Sequence, residues 1–133
     1  MIALNADPAT SLKEAIATRA TTATIYVNGE TPSNQLPDQF IEIVSNGPMS
    51  SQSTRMGVGT CTLMVIINTK LLSTHGANYK LENITLGLFQ SLFASAVTKS
   101  GFTFSIDKKR MVYQGKSIVS GYSTKILNVI TTF

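Results

Sequence analysis

Short segments of alternating apolar and polar residues dominate this chain, and the strongest of them is Thr60–Lys70. In this segment Cys61, Leu63, Val65 and Ile67 fall on one side of an extended strand, and the intervening residues fall on the other. Both sides are apolar in the middle, which is typical of a strand with neighbours on each edge. The pattern therefore predicts a central strand.

Further strands are predicted by β-branched and aromatic runs that end at turn residues. The turn pair Asn28-Gly29 closes the first of them, and two prolines mark residues 31–37 as a loop. The predicted strands are Thr24–Val27, Gln39–Val44, Phe102–Asp107, Met111–Tyr113 and Tyr122–Phe133.

Two helices are predicted. Asp7 and Pro8 fit the N-cap and first position of a short helix that ends near Arg19. A longer helix is predicted over Lys80–Lys99, with Gly101 as its C-cap. Its apolar stripe, at spacings of three and four, consists of Leu81, Ile84, Leu88, Leu92 and Ala96. The residues that widen this stripe are Phe89, Phe93 and Val97.

Together these elements predict one α+β domain over residues 1–133. We expect a mostly antiparallel sheet of four to six strands, with one short N-terminal helix and one long helix packed on it. Residues 45–59 contain Ser, Gly, Met and Gln and interrupt the pattern. This segment is predicted to be a mobile loop, either a hairpin tip or an arm that orders against a neighbouring subunit.

The composition adds a hint about assembly. Charged residues make up 14% of the chain, whereas soluble domains average about 25%. Ser and Thr, 31 residues in all, take their place. A surface with so little charge is typical of a protein covered by neighbours, although drift in composition would produce it equally well.

Candidate catalytic residues are few. Cys61 is the single cysteine and His75 the single histidine, so together they supply at most two zinc ligands. Thiol catalysis would require the Cys61 thiol to lie within hydrogen-bond distance of the His75 ring. Cys61, however, lies in the middle of a strand among apolar residues, where a thiol is usually an inert part of the core. Glu42 and Asp107 are carboxylates on separate strands, and no phosphate-binding glycine motif is present. We therefore expect no enzyme activity, no cofactor and no metal.

The net charge of +4 leaves nucleic acid as an alternative partner. Lys108, Lys109, Arg110 and Lys116 flank a predicted hairpin with Tyr113 between them, and such a hairpin can contact phosphates and stack a base. The longest apolar run, Leu63–Ile67, is far too short for a membrane span. The first residues lack the features of a secretory signal, so we expect synthesis in a cytoplasm.

The order of the elements resembles that of the tail-terminator and tail-completion proteins of tailed bacteriophages. The segments that carry the resemblance are Leu36–Ile43, Cys61–Asn68 and Lys80–Lys99. The resemblance implies a structural virion protein without catalysis, in which identical subunits, often six, form a ring. Its partners would be tail-tube or neck proteins. The protein would belong to the virion, which is assembled in the host cytoplasm.

Within such a ring, loops would face the lumen or the next ring. The basic corner Lys108–Arg110 has no counterpart in the family pattern. The residues predicted to form subunit or ring-to-ring contacts are Ser50, Ser51, Gln52, Ser53, Thr54, Arg55, Met56, Gly57, Lys108, Lys109 and Arg110.

Overall fold

In the residues that it describes, the computed structural model of the chain has two helices and a curled sheet. The residues it describes are 7–17, 23–32, 35–45, 50–51, 59–73, 76, 78–106, 112–114 and 121–132. The helices are α1 (Pro8–Ala17) and α2 (Tyr79–Leu92). The strands are β1 (Thr24–Val27), β2 (Gln39–Ser45), β3 (Ser50–Ser51), β4 (Gly59–Lys70), β5 (Val97–Lys99), β6 (Phe102–Ile106), β7 (Val112–Gln114) and β8 (Tyr122–Thr132).

Six strands follow one path in the order β1-β2-β4-β8-β6-β5, while β3 pairs with β4 and β7 pairs with β8. The α+β class is as predicted, but the expectation of a mostly antiparallel sheet is corrected to a mixed sheet. The reason is that β1 lies parallel to β2. β2 therefore begins at the same end of the sheet as β1, so a tight hairpin does not join the two strands.

The predicted central strand is confirmed. β4 pairs antiparallel with β2 on one side and with β8 on the other. Cys61, Leu63, Val65 and Ile67 are buried on one face, as the alternation predicted, and their neighbours at 60, 62, 64 and 66 are half-buried on the opposite face. We call these the core face and the open face of the sheet.

Helix α1 lies against the core face. It contacts β1 and β2 near one end of the strand path and β5 and β6 near the other, so the sheet curls around it. Leu12 and Ile16, one turn apart, are fully buried. The predicted start is confirmed, whereas the predicted end near Arg19 lies outside the described residues.

Asp7 caps α1 through its side chain. Its carboxylate accepts hydrogen bonds from the backbone N–H of Ala9 and Thr10, both at 3.3 Å, and from Thr10 Oγ1 at 2.6 Å. Asn28 Nδ2 donates a further bond at 2.7 Å. Partial burial acts to raise the pKa of Asp7, but these hydrogen bonds outweigh it and lower the pKa below the ordinary value of 3.8.

A lowered pKa makes the contribution of Asp7 depend on pH. The stabilisation is present above pH 3.8 and is lost as the pH falls through the lower pKa of the folded state. We expect Asp7→Ala to reduce the free energy of unfolding by about 1 kcal/mol at pH 7. Asp7→Asn should keep most of the cap and lose its pH dependence. Urea unfolding of the three proteins at pH 7 and pH 3 tests this, and an equal effect of Asp7→Ala at both values would contradict it.

The last third of the predicted long helix, residues 93–99, is wrong. Helix α2 ends at Leu92, and Val97–Lys99 forms strand β5, which pairs antiparallel with β6. The two residues between the strands, Ser100 and Gly101, have φ values of 55° and 85°. Gly101 is therefore a hairpin residue and not a helix cap, since two-residue hairpin turns favour positive φ.

The remaining strands agree with the predictions, and the predicted terminal residues Asp107, Met111 and Phe133 lie outside the described residues. β6 ends at Ile106, β7 spans Val112–Gln114 and β8 ends at Thr132. In the predicted mobile loop, residues 50–51 form β3 and Gly59 opens β4. Residues 46–49 and 52–58 lie outside the described residues.

Candidate interaction surfaces

Helix α2 is anchored to the core face by a buried ion pair near its N-terminus. Lys125 Nζ of β8 lies 3.5 Å from Glu82 Oε2, and the two side chains are 6% and 4% exposed. Ser123 donates a hydrogen bond to the other Glu82 oxygen, and Lys125 Nζ donates to Asn83 Oδ1 at 2.9 Å. Buried charges require such partners, so this network fixes which side of α2 meets the sheet.

The same side of α2 continues the contact along the helix. Thr85 Oγ1 donates to Gln39 Oε1 at 3.0 Å, and Gln39 Nε2 donates to Thr69 Oγ1 at 3.1 Å. Further on, the rings of Phe89 and Phe93 stack with their centroids 6.4 Å apart and belong to the hydrophobic core. The helix therefore packs through positions 82, 85 and 89, and its C-cap residue Phe93 continues the same side.

The predicted apolar stripe is consequently not the packed side of the helix. Ile84 and Leu88 are 52% and 43% exposed, and the other helical members of the stripe are half-buried. The three residues that were expected only to widen the stripe, Phe89, Phe93 and Val97, are all buried. The predicted stripe itself was Leu81, Ile84, Leu88, Leu92 and Ala96.

Because the helix packs through a different side from the predicted stripe, apolar side chains of the stripe remain at the surface of α2. We define the α2 surface as Leu72, Leu81, Ile84 and Leu88. Leu72 is 73% exposed, and with Leu81 it lines one side of a cavity of about 210 Å³, whose other lining residues are Leu71, Asn78 and the ion pair of Lys70 with Asp38. Large apolar side chains that meet solvent side by side are typical of an interaction site.

The open face of the sheet carries a second apolar surface. Its apolar central residues are half-buried, Asn128 between them is buried, and both described helices lie on the core face instead. The register places Met64 between Val44 and Asn128, and Ile66 between Glu42 and Ile126. We define the sheet surface as Val44, Met64, Ile66, Ile126 and Ile130.

Polar residues define one end of the sheet surface. Glu42 accepts hydrogen bonds from Asn68 Nδ2 and Thr31 Oγ1, each at 2.8 Å. Thr124 Oγ1 donates to Asn68 Oδ1 at 3.0 Å. Both carboxylate oxygens are engaged, so Glu42 is held in place beside the apolar patch. Asp107, the other carboxylate considered from the sequence, lies outside the described residues.

Of the four candidate catalytic residues, the described structure includes Cys61 and Glu42. Cys61 is buried, and this burial raises the pKa of its thiol above the ordinary value of 9.0. The thiol is therefore protonated at neutral pH, whereas thiol catalysis uses the thiolate. His75 lies outside the described residues. In the described parts of the chain, no three His, Cys, Asp or Glu side chains form a metal-binding group.

The residues predicted from the resemblance to form contacts fall largely outside the description. Ser50 and Ser51 pair through their backbone with Thr60 and Gly59. Residues 52–57 and 108–110 lie outside the described residues, so their roles stay predictions. None of the described helices is long and apolar enough to cross a membrane.

Sequence reasoning missed the two surfaces defined above. Apart from Leu72, which lies between β4 and α2, their residues were placed on the correct strands and helix, but which side of α2 would be buried depends on long-range contacts. A scan against protein-family models found no match, and a search of curated proteins found none either.

Proposed function

We propose that the chain is a structural subunit that assembles with copies of itself into a ring. The observation that carries this proposal is the pair of apolar surfaces, the α2 surface and the sheet surface, on one small chain. Contact between two different surfaces of identical subunits is head-to-tail, and such contacts close into a ring when the rotation between subunits allows it.

The particular role that we propose is that of a tail-terminator or tail-completion subunit in the neck of a tailed bacteriophage, joining tail to head. The resemblance in the order of elements supports this role, as do the low charge and the open sheet. The proposal includes assembly in the host cytoplasm, contacts with tail-tube or neck proteins, and no catalysis. Since closed rings remove exposed edges and faces, the assembly would also protect the sheet.

Electron microscopy of the concentrated protein tests the ring directly. We expect closed, symmetric particles with a central opening. Images of the Ile84→Lys variant serve as the control, because a charge on the α2 surface should prevent contact without disturbing the core. Uniform particles of monomer size for the wild-type protein, even at high concentration, would contradict the proposal.

The segment that follows β3 offers a separate test of the predicted arm. Replacing residues 52–58 with Asn-Gly joins β3 to β4 through a two-residue hairpin. We expect the free energy of unfolding of the variant to lie within about 0.5 kcal/mol of the wild-type value. Its assembly should be poor. Scattering mass and urea unfolding measure the two properties, and normal assembly would remove the arm from the interface.

A further inference from the structure

We infer that the α2 surface of one copy packs on the sheet surface of the next copy. This inference rests on the proposed function and specifies the contact that would build the ring. The partner is a second copy of this chain because the dimensions and the charges of the two surfaces are complementary.

The dimensions of the two surfaces agree. The 14 residues of α2 form a rod of about 21 Å in length and about 10–12 Å in diameter. The sheet surface spans three strands, β2, β4 and β8, whose outer members lie about 10 Å apart. Along the strands, this surface extends from the level of Ile126 to that of Ile130, which is about 14 Å. Leu81 to Leu88 rise about 11 Å along α2, so the helical part of the α2 surface fits within the width and the length of the sheet surface.

The charges of the two surfaces also agree. All residues of α2 are described, and its exposed charged residue is Lys80, near the N-terminal end, since Glu82 is buried. The sheet surface is uncharged in its centre and has the half-buried Glu42 at one end. A helix that directs Lys80 toward Glu42 would place Ile84 and Leu88 on the uncharged centre.

A polyanion fits these surfaces less well than a second copy does. Binding of nucleic acid depends on clustered Lys and Arg side chains that contact phosphates. The α2 surface and the centre of the sheet surface consist of uncharged residues. Burial of apolar area is the favourable contribution that such surfaces can make.

The size of the contact predicts cooperative assembly. A helix footprint of about 21 Å by about 10 Å is much smaller than the roughly 800 Å² per partner of a stable complex. A single contact of this kind is weak. In a closed ring each subunit makes the contact twice, once through each surface, so complete rings should form without an accumulated dimer.

Cysteine cross-linking between separately prepared variants tests the inference. Leu88→Cys places a thiol on the α2 surface, and Met64→Cys places one on the sheet surface. One variant is isotope-labelled, the two are mixed, and a short bismaleimide joins nearby thiols before intact-mass analysis. Wild-type protein, whose Cys61 is buried, is the control for background reaction, and unfolding curves verify that each variant folds.

We expect the mixture to give cross-linked dimers that contain one labelled and one unlabelled chain. Their yield should be at least ten times the yield of cross-linked dimers from either variant alone. A double variant should give a ladder of multimers. Equal cross-linking of Leu88→Cys alone would overturn the inference in favour of a two-fold helix contact. Wild-type oligomers by light scattering without mixed cross-links would overturn it while leaving the proposed function intact, and a wild-type monomer without cross-links would overturn both.

Discussion

Substitution of Lys125 by methionine should lower the free energy of unfolding by about 3–5 kcal/mol. The change leaves the carboxylate of Glu82 buried and without its charged partner, 4% exposed between α2 and the sheet. Whole domains are stable by about 5–15 kcal/mol, so this loss is large. Urea unfolding at neutral pH measures it.

Two further variants isolate the effect of the buried charge. Glu82→Gln in the Lys125→Met background removes the remaining charge and should recover most of the loss, because Gln can still accept the hydrogen bond from Ser123. Lys99→Met is the matched surface control, since its 4.0 Å pair with Glu14 is about half exposed and such pairs contribute at most about 1 kcal/mol. Equal losses in Lys125→Met and Lys99→Met would show that the ion pair does not anchor α2.

Substitution of Leu12 by alanine in α1 should lower the free energy of unfolding by about 2–5 kcal/mol. Leu12 is fully buried in the core that α1 shares with the curled sheet. Since α1 contacts strands at both ends of the strand path, a cavity there weakens the packing of the sheet around the helix. Thermal or urea unfolding gives the change.

Leu72→Ala provides the matched control for that prediction. The side chain is the same, but it is 73% exposed, so the change in folding stability should stay within about 0.5 kcal/mol. Under the proposed contact, Leu72→Ala should instead weaken assembly. Equal destabilisation of the monomer by both substitutions would contradict the burial of Leu12 and the exposure of Leu72.

Much of the fold could be predicted from the sequence because local patterns and turn residues determine it. β4 was predicted from its alternation, and β1 and β2 from β-branched and aromatic runs, the first of which ends at Asn28-Gly29. The parallel pairing of β1 with β2 could not be predicted, since it depends on where residues 28–38 lead the chain. The end of α2 was missed although Val97 and Thr98 favour a strand and Ser100-Gly101 is a hairpin signal.

The interaction surfaces could not be predicted because α2 has two candidate sides. Leu81, Ile84 and Leu88 form one apolar stripe, and Phe89 and Phe93 belong to another. The choice between them depends on Glu82, which pairs with Lys125 of β8, far away in the sequence. An acidic residue on the buried side contradicts the usual hydrophobic pattern, so periodicity alone selects the wrong side.

The central claim, that the chain assembles with copies of itself through the α2 surface, is tested most directly by its mass in solution. Light scattering over a range of concentrations is compared for the wild type and for Ile84→Lys. We predict a ring-sized mass for the wild type at high concentration and a monomer for the variant, with equal unfolding curves. A wild-type mass that stays at 14.3 kDa at every concentration would contradict the claim.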